Sequence, residues 1–286
     1  MGIEKIKMAD LQPYIENKTT RAEKTGIKKL DDFLRYKKKN LLIVGGLANV
    51  GKTTGTLWLM FTWSMLCKSS PKWLVFSNEN ENIETSVMLL EWYHEKPVYE
   101  QTQKELQSAI QWVEDHFQFL KNDYSTDLLS ILKLASDVYK NIWQFDGLLI
   151  DPYSSLKFGG YNEHYSNATL MRQWIRKYET KLIVTMHAGT EAARMVDKNR
   201  SPLTPLPSSL EMGAMWMNRA DDLCIMHRAT QDETLRNKME VHVCKIKQTR
   251  SGGKTTDRSK PVELYYQEKW GGFLWEKFDV QEISNR

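Results

Sequence analysis

The chain has 286 residues, of which 41% are hydrophobic and 27% charged, and its formal net charge is +4 at neutral pH. This is the composition of a globular protein with one large domain or two small ones, and it excludes a polycation. The mild positive charge permits a nucleic-acid partner without requiring one. Three widely spaced cysteines without a C-x-x-C pair predict reduced thiols in a cytosol, and the longest apolar stretch, residues 57–67, is too short to span a bilayer.

The first 25 residues are polar and charged, with a short helix expected over residues 3–11. They predict an N-terminal arm or linker, or alternatively a poorly ordered terminus. Residues 25–34 favour a turn followed by a short amphipathic helix. The lysine run at residues 37–39 predicts a solvated turn.

Residues 46–53, GLANVGKT, form a complete G-x-x-x-x-G-K-[ST] phosphate-binding loop. The apolar run at residues 41–44 predicts a strand before the loop, and residues 54–67 predict a helix after it. In such a loop the backbone N–H groups and the helix start bind phosphate oxygens, the lysine reaches the β- and γ-phosphates, and the hydroxyl binds Mg²⁺. The expected ATP-binding residues are Gly46, Leu47, Ala48, Asn49, Val50, Gly51, Lys52, Thr53 and Thr54, with Thr53 also a metal ligand.

Two acidic residues follow later predicted strands. Residues 73–77 predict a strand that places Glu79 just past its carboxyl end, where it can polarise a water that attacks the γ-phosphate. Alternatively, Glu79 or Glu81 only caps the next helix. The run at residues 148–151 ends in Asp151, which is well placed to hold Mg²⁺ through water.

Helices are predicted over residues 83–95, 98–114 and 128–143, with a short strand over 116–120. A flexible loop over 157–167 and a helix over 168–179 follow. The strand at 181–186 delivers His187, which either contacts the γ-phosphate or is a satisfied loop histidine. Residues 188–210 form a long basic loop on the same edge, and long loops in compact domains are often functional.

Further strands are predicted over residues 222–226 and 240–246, with a basic turn over 247–253 and a closing hairpin from 262–266 and 272–275. Alternation of strands and helices that ends in antiparallel strands predicts an α/β fold. Its sheet would be mainly parallel, with helices on both faces and an antiparallel C-terminal edge.

The order of these motifs resembles the RecA-like ATPase domain of hexameric, DnaB-like replicative helicases, from Thr25 onward. Thr25-Gly26 with Leu30-Asp31 resembles the family's T-G-x-x-x-L-D segment, and Ser77 with Glu79 resembles its F-S-x-E strand end. Ile150-Asp151 resembles its metal-binding strand. Glu211-x-Gly213 followed by Ala220-Asp221 resembles its E-x-G…A-D segment, and Lys247 to Gly252 resembles its K-x-R-x-G tip.

The resemblance implies a RecA-like P-loop NTPase fold over residues 26–286, with residues 1–25 as the arm that packs on the next subunit. It implies ATP and Mg²⁺ as cofactors, Glu79 as the base and His187 as the γ-phosphate sensor. The loops at 157–167 and 188–210 then face a central channel that holds single-stranded DNA. The expected DNA-binding residues are Lys157, Arg194, Lys198 and Arg200.

The same resemblance implies that Arg250 reaches the ATP of the neighbouring subunit, with Lys247 as a further ATP-binding residue. Here the spacing is Lys247-x-x-Arg250 and not K-x-R, so Lys245 and Lys254 remain alternatives. The chain also has room for only a short arm where the family usually carries an N-terminal domain. It is therefore either a stand-alone phage or plasmid type or an excised domain.

The implied function is a ring-forming DNA helicase that translocates 5′–3′ in a bacterial or phage-infected cytoplasm, with a primase or another replication protein as a partner. Three alternatives remain: a recombination or loading ATPase without unwinding activity, a regulatory RecA-like ATPase without nucleic acid, and a non-enzymatic nucleotide-binding scaffold. The presence of Lys52, Thr53, Glu79 and Asp151 argues against the scaffold.

Overall fold

The computed structural model describes residues 7–15, 22–121, 126–198, 202–211, 213–230 and 232–275. Their strands form one nine-stranded sheet in the order β3-β2-β4-β5-β1-β6-β7-β8-β9. The pairs from β3 to β6 are parallel, and the pairs from β6 to β9 are antiparallel. The strands are β1 (Asn40–Gly46), β2 (Trp73–Ser77), β3 (Phe117–Phe119), β4 (Gly147–Asp151), β5 (Lys181–His187), β6 (Asp222–His227), β7 (Lys238–Ile246), β8 (Val262–Tyr266) and β9 (Phe273–Leu274).

Helices alternate with the parallel strands, and short 3₁₀ turns lie at Val98–Glu100, Tyr153–Ser155 and Pro207–Ser209. None of the described helices is long and apolar enough to cross a membrane. The α-helices are α1 (Met8–Ile15), α2 (Lys28–Asp31), α3 (Lys52–Leu66), α4 (Asn82–His94), α5 (Gln103–His116), α6 (Leu128–Asn141), α7 (Tyr161–Tyr178), α8 (Thr190–Arg194), α9 (Gly213–Arg219) and α10 (Thr249–Gly252).

The central strands read as continuous apolar runs because the sheet is covered on both faces. Along β1, Leu42 and Val44 point into one core, and Leu41 and Ile43 point into the other. Helices α3, α4 and α5 contribute to the first core, and α6, α7 and α9 contribute to the second. The predicted α/β fold, with a mainly parallel sheet and an antiparallel C-terminal edge, is confirmed.

Two local predictions are wrong. The loop expected over residues 157–167 is largely the start of α7, which begins at Tyr161. The helix expected over residues 98–114 begins only at Gln103, where Thr102 forms a capping box with Glu105.

The lysine run is also not a simple solvated turn. The Lys37 side chain is 7% exposed, and its ammonium forms an ion pair with Asp222 at 2.6 Å. The sequence contains no local sign of this pairing, because Asp222 lies on a strand far away in the chain.

The parallel strands β1, β2, β4 and β5 all end on one edge of the sheet, which we call the carboxyl edge. In open α/β sheets ligands bind outside this edge, where the strand order reverses around the first strand. β1 lies between β5 and β6, so the loop that follows Gly46 emerges at the middle of this edge.

Candidate nucleotide-binding site

The phosphate loop connects the end of β1 at Gly46 to the start of α3 at Lys52. Asn49 and Gly51 have φ angles of 60° and 84°, so the backbone curls in the way that lets successive N–H groups face one anion. A side chain at Gly46 would place its Cβ 2.4 Å from the Met226 carbonyl oxygen, which explains the requirement for glycine there. The predicted residues therefore have the backbone shape of an anion-binding loop.

Lys52 is nearly buried at the base of the loop. Its ammonium donates a hydrogen bond to the Leu47 carbonyl at 2.7 Å and contacts His187 Nδ1 at 3.2 Å. Burial lowers the pKa of Lys52, and the negative charges of Glu79 and Asp151 oppose that shift. The ammonium is therefore held against the backbone of the loop that is expected to bind phosphate.

Thr53 and Asp151, the two expected metal ligands, are in direct contact. The Thr53 hydroxyl donates to Asp151 Oδ2 at 2.8 Å, and the Thr185 hydroxyl donates to Oδ1 of the same carboxylate. Burial raises the pKa of Asp151, while the two hydroxyl hydrogen bonds favour its ionised form. A hydroxyl and a carboxylate side by side are oxygen ligands that fit Mg²⁺, which binds proteins through one or two such groups and keeps several waters.

Glu79 and His187 are joined across the carboxyl edge by a contact of 3.0 Å between Glu79 Oε1 and His187 Nε2. An ammonium can only donate, so Nδ1 of His187 accepts from Lys52 and Nε2 donates to Glu79. The Ser77 hydroxyl accepts hydrogen bonds from the N–H groups of Glu79 and Asn80 and shapes the turn that carries the carboxylate. Lys52, His187 and Glu79 therefore form one continuous polar chain.

Arg250 and Lys247 lie away from this site in the same subunit. Asp222 pairs with Leu42 of β1 and with Ile246 of β7, so the residues after Ile246 emerge at the amino ends of β1 and β6. We call this side the amino edge. The Lys247 ammonium is already paired there with Asp221 at 2.9 Å.

Three of the four predicted DNA-binding residues follow strands that end at the carboxyl edge. Lys157 follows β4, and Arg194 and Lys198 follow β5; all three side chains are exposed. Arg200 lies outside the described residues. The long loop has more structure than expected, because it contains α8 and a bridge between Val196 and Pro202.

The short helix α8 packs against the phosphate loop. Ala192 is buried in a small cluster with Leu47 and Val50. The backbone N–H of Ala188 donates to the Gly46 carbonyl at 2.9 Å. The start of the basic loop is thus in direct contact with the loop that is expected to bind phosphate.

Two further residues beside the phosphate loop were missed by the sequence analysis. The guanidinium of Arg228 lies 4.8 Å above the ring of Tyr266, and its Nη1 would be 3.8 Å from a Cβ built on Gly51. This cation–π contact holds a guanidinium beside the phosphate loop. The only sequence signal was the position of Arg228 just after a predicted strand.

Comparison with solved structures identifies proteins with a similar fold. No protein-family model matches the chain, and no curated protein matches it by sequence. Among solved structures, one of an ATPase domain is similar with a TM-score of 0.73 and 15% identity, over 96% of this chain and 99% of that one. A structure of a DnaB-like replicative helicase and its interactions with primase is similar with a TM-score of 0.70 and 16% identity, over 96% of this chain and 67% of that one.

The chain therefore has the fold of the ATPase domains of DnaB-like helicases. The resemblance inferred from the motifs is confirmed at the level of the fold, over nearly the whole chain.

Proposed function

We propose that this protein is an ATP-dependent, ring-forming DNA helicase that translocates on single-stranded DNA and hydrolyses ATP between subunits. Residues 26–286 form the helicase domain, and residues 1–25 form an arm. The observation that carries this proposal is the convergence of Lys52, Thr53, Glu79, Asp151 and His187 at one edge of the sheet. A hexameric ring and 5′–3′ polarity are proposed from the resemblance to DnaB-like helicases.

In the proposed reaction Glu79 accepts the proton of the attacking water, because its carboxylate is held at the carboxyl edge by His187. The Lys52 ammonium binds the terminal phosphates, and the loop N–H groups bind the phosphate oxygens. Thr53 and Asp151 would hold Mg²⁺, which would supply positive charge to the phosphate oxygens. His187 contacts both Lys52 and Glu79, so it is placed to respond to the loss of the γ-phosphate.

Arg250 is proposed to complete the ATP site of the neighbouring subunit. Its side chain is exposed and has no hydrogen bond or ion pair with the described residues. The other cations of this segment are engaged: Lys245 donates to two backbone carbonyls, and the Lys254 ammonium lies over Phe33. A guanidinium supplied in this way can raise the rate by roughly 10³–10⁵-fold.

The basic loops are proposed to bind the DNA backbone and to move with the ATP site. The supporting observation is the contact of Ala192 in α8 with Leu47 and Val50 of the phosphate loop. A rearrangement of the phosphate loop is transmitted through this contact to Arg194 and Lys198, which follow in the same loop.

The arm is proposed to join subunits into a ring. Met8, Leu11 and Ile15 lie on one side of α1, at the i, i+3, i+7 spacing of a helix face. Their side chains are 70%, 42% and 64% exposed, so this apolar stripe has little cover within the subunit. A second copy of the chain is the proposed partner of the stripe.

The test measures ATP hydrolysis with and without single-stranded DNA, followed by strand displacement on a forked duplex. We expect hydrolysis that DNA stimulates, unwinding of the fork, and loss of hydrolysis in Lys52→Ala. Hydrolysis that does not respond to DNA would favour a regulatory ATPase. Stimulation without unwinding would favour a recombination or loading ATPase.

A further inference from the structure

The turn that carries Arg250 is fixed at its first end by Asp221. The Lys247 ammonium pairs with Asp221 Oδ1 at 2.9 Å, and the Lys247 backbone N–H donates to the Asp221 carbonyl at 3.0 Å. These two contacts hold the end of β7 directly before α10. The position of Arg250 three residues later follows from them.

Asp221 is itself held by the core of the sheet. Its Oδ2 accepts a hydrogen bond from the Leu41 N–H at 3.0 Å, and its Oδ1 accepts from the Arg172 guanidinium at 3.1 Å. Burial opposes ionisation, but the Leu41 N–H and the Lys247 ammonium bring the pKa of Asp221 below its usual value. The carboxylate therefore links β1, α7 and the Arg250 turn as a charged group.

The second end of the turn is held by the segment before β1. The Arg35 backbone N–H donates to the Gly252 carbonyl at 3.3 Å. Gly253 has a φ of +105°, and a Cβ there would lie 2.3 Å from the Phe33 carbonyl oxygen. Lys37, which packs against Gly252, is anchored by its buried ion pair with Asp222. Asp221 thus holds the Lys247 side chain at the first end of this four-residue turn, while Asp222 holds the second end through Lys37 and also accepts the Lys247 backbone N–H through Oδ1 at 3.3 Å.

We infer that Asp221 is a positioning residue for ATP hydrolysis in the neighbouring subunit. It acts by fixing the turn that presents Arg250, and it lies at the amino edge, away from the phosphate loop of its own subunit. This inference rests on the proposed function, in which Arg250 works in trans. The contacts of Asp221 with Leu41, Arg172 and Lys247 support this role. A guanidinium on a loosely held turn would lose its orientation toward the neighbouring site.

The test is complementation between subunits, measured as ATP hydrolysis without DNA. Asp221→Asn is nearly isosteric but removes the charge that holds Lys247 and Arg172. We expect kcat to fall on the order of 10²-fold, as for a small misplacement of a catalytic group. Binding of a fluorescent ATP analogue should stay unchanged, because the phosphate loop is intact.

Asp221→Asn is then mixed with Lys52→Ala, which cannot hydrolyse its own ATP but has an intact Arg250 turn. Where the two variants meet, the intact phosphate loop of Asp221→Asn faces the intact Arg250 turn of Lys52→Ala. The rate of ATP hydrolysis should therefore rise on the order of 10-fold above that of Asp221→Asn alone. A misfolded Asp221→Asn subunit would not recover in this way. Absence of recovery would overturn the inference.

A parallel mixture of Arg250→Ala with Lys52→Ala distinguishes the role of Asp221 from that of Arg250. Recovery in this mixture, without recovery for Asp221→Asn, would reject only the role of Asp221. No recovery in either mixture would reject Arg250 as a group acting in trans. Asp146→Asn is the matched control, because Asp146 also accepts a backbone N–H and pairs with a lysine but has no contact with the turn.

Discussion

Asp151 is almost fully buried beside Thr53 and Thr185, where a charged carboxylate is costly in the folded protein. Burial raises its pKa, so the folded state binds the Asp151 proton more tightly than the unfolded state does. The contribution of this group to stability is greatest below its ordinary pKa near 4 and is lost as the pH rises through the raised folded value. Keeping this carboxylate ionised, as the proposed binding of Mg²⁺ requires, therefore lowers the stability of the folded protein.

We expect Asp151→Asn to abolish hydrolysis that depends on Mg²⁺ and to raise the unfolding temperature of the free protein by roughly 2 °C or more at neutral pH. The difference from wild type should widen as the pH rises above about 4, because only the wild type carries the buried charge. Thermal unfolding followed across pH measures this. A difference that narrows with rising pH would contradict the assignment.

Glu79→Gln is expected to lower kcat by about 10²–10⁴-fold while ATP binding is retained, because an amide cannot accept the proton of water. Single-turnover hydrolysis and nucleotide titration separate the two effects. Glu81→Gln is the matched control: Glu81 is exposed, and its side chain does not cap α4. Near-normal turnover of Glu79→Gln would show that another group is the base.

At the scale of elements, α8 joins the phosphate loop to the exposed basic loop that follows it. We expect Arg194→Ala combined with Lys198→Ala to weaken binding of single-stranded DNA and to reduce its salt dependence by up to about 0.7 per lost phosphate contact. Hydrolysis without DNA should stay close to wild type, because neither side chain reaches the phosphate loop through a described contact.

Titration of a fluorescent oligonucleotide at several salt concentrations measures this effect. Lys133→Ala with Lys140→Ala is the matched control, since it removes the same charge from exposed positions on α6. An equal loss of DNA affinity in the control would mean that only net charge matters.

The start of α7 shows why some elements could not be predicted from sequence. Residues 161–167 are polar and lack an apolar period, so they favoured a loop. In the structure, His164 and Asn167 lie on the buried side of the helix and hydrogen-bond to the Tyr153 hydroxyl at 3.0 and 3.2 Å. The partner is in another segment, and a local pattern contains no information about it.

At the site too, features set by local sequence could be predicted, and features set by partners in distant segments could not. Strands with apolar runs and the loop at residues 46–53 could be identified because backbone geometry and burial dictate local sequence there. Glu79, Asp151 and His187 could be placed because the carboxyl ends of parallel strands share an edge. Arg228 with Tyr266, and Asp221 with Lys247, depend on strand order across the antiparallel part of the sheet, which no local pattern records.

At the scale of the whole molecule, the apolar stripe on α1 is the feature that bears on assembly. If the proposed rings form, we expect Leu11→Ser combined with Ile15→Ser to shift them to smaller species, with the unfolding temperature of the monomer unchanged because both side chains are exposed. Sedimentation velocity measures the change. Ile142→Ser is the control, since Ile142 is 79% exposed but lies at the end of α6.

The phosphate loop and the Arg250 turn lie at opposite edges of one sheet, and in the proposed ring each loop meets the turn of the next subunit in a head-to-tail contact. An open row of subunits then always has one fewer complete ATP site than it has subunits, and only closure of the row supplies the last one. Activity per subunit should therefore rise with protein concentration and level off when closure is reached, without any change in the affinity of a single site.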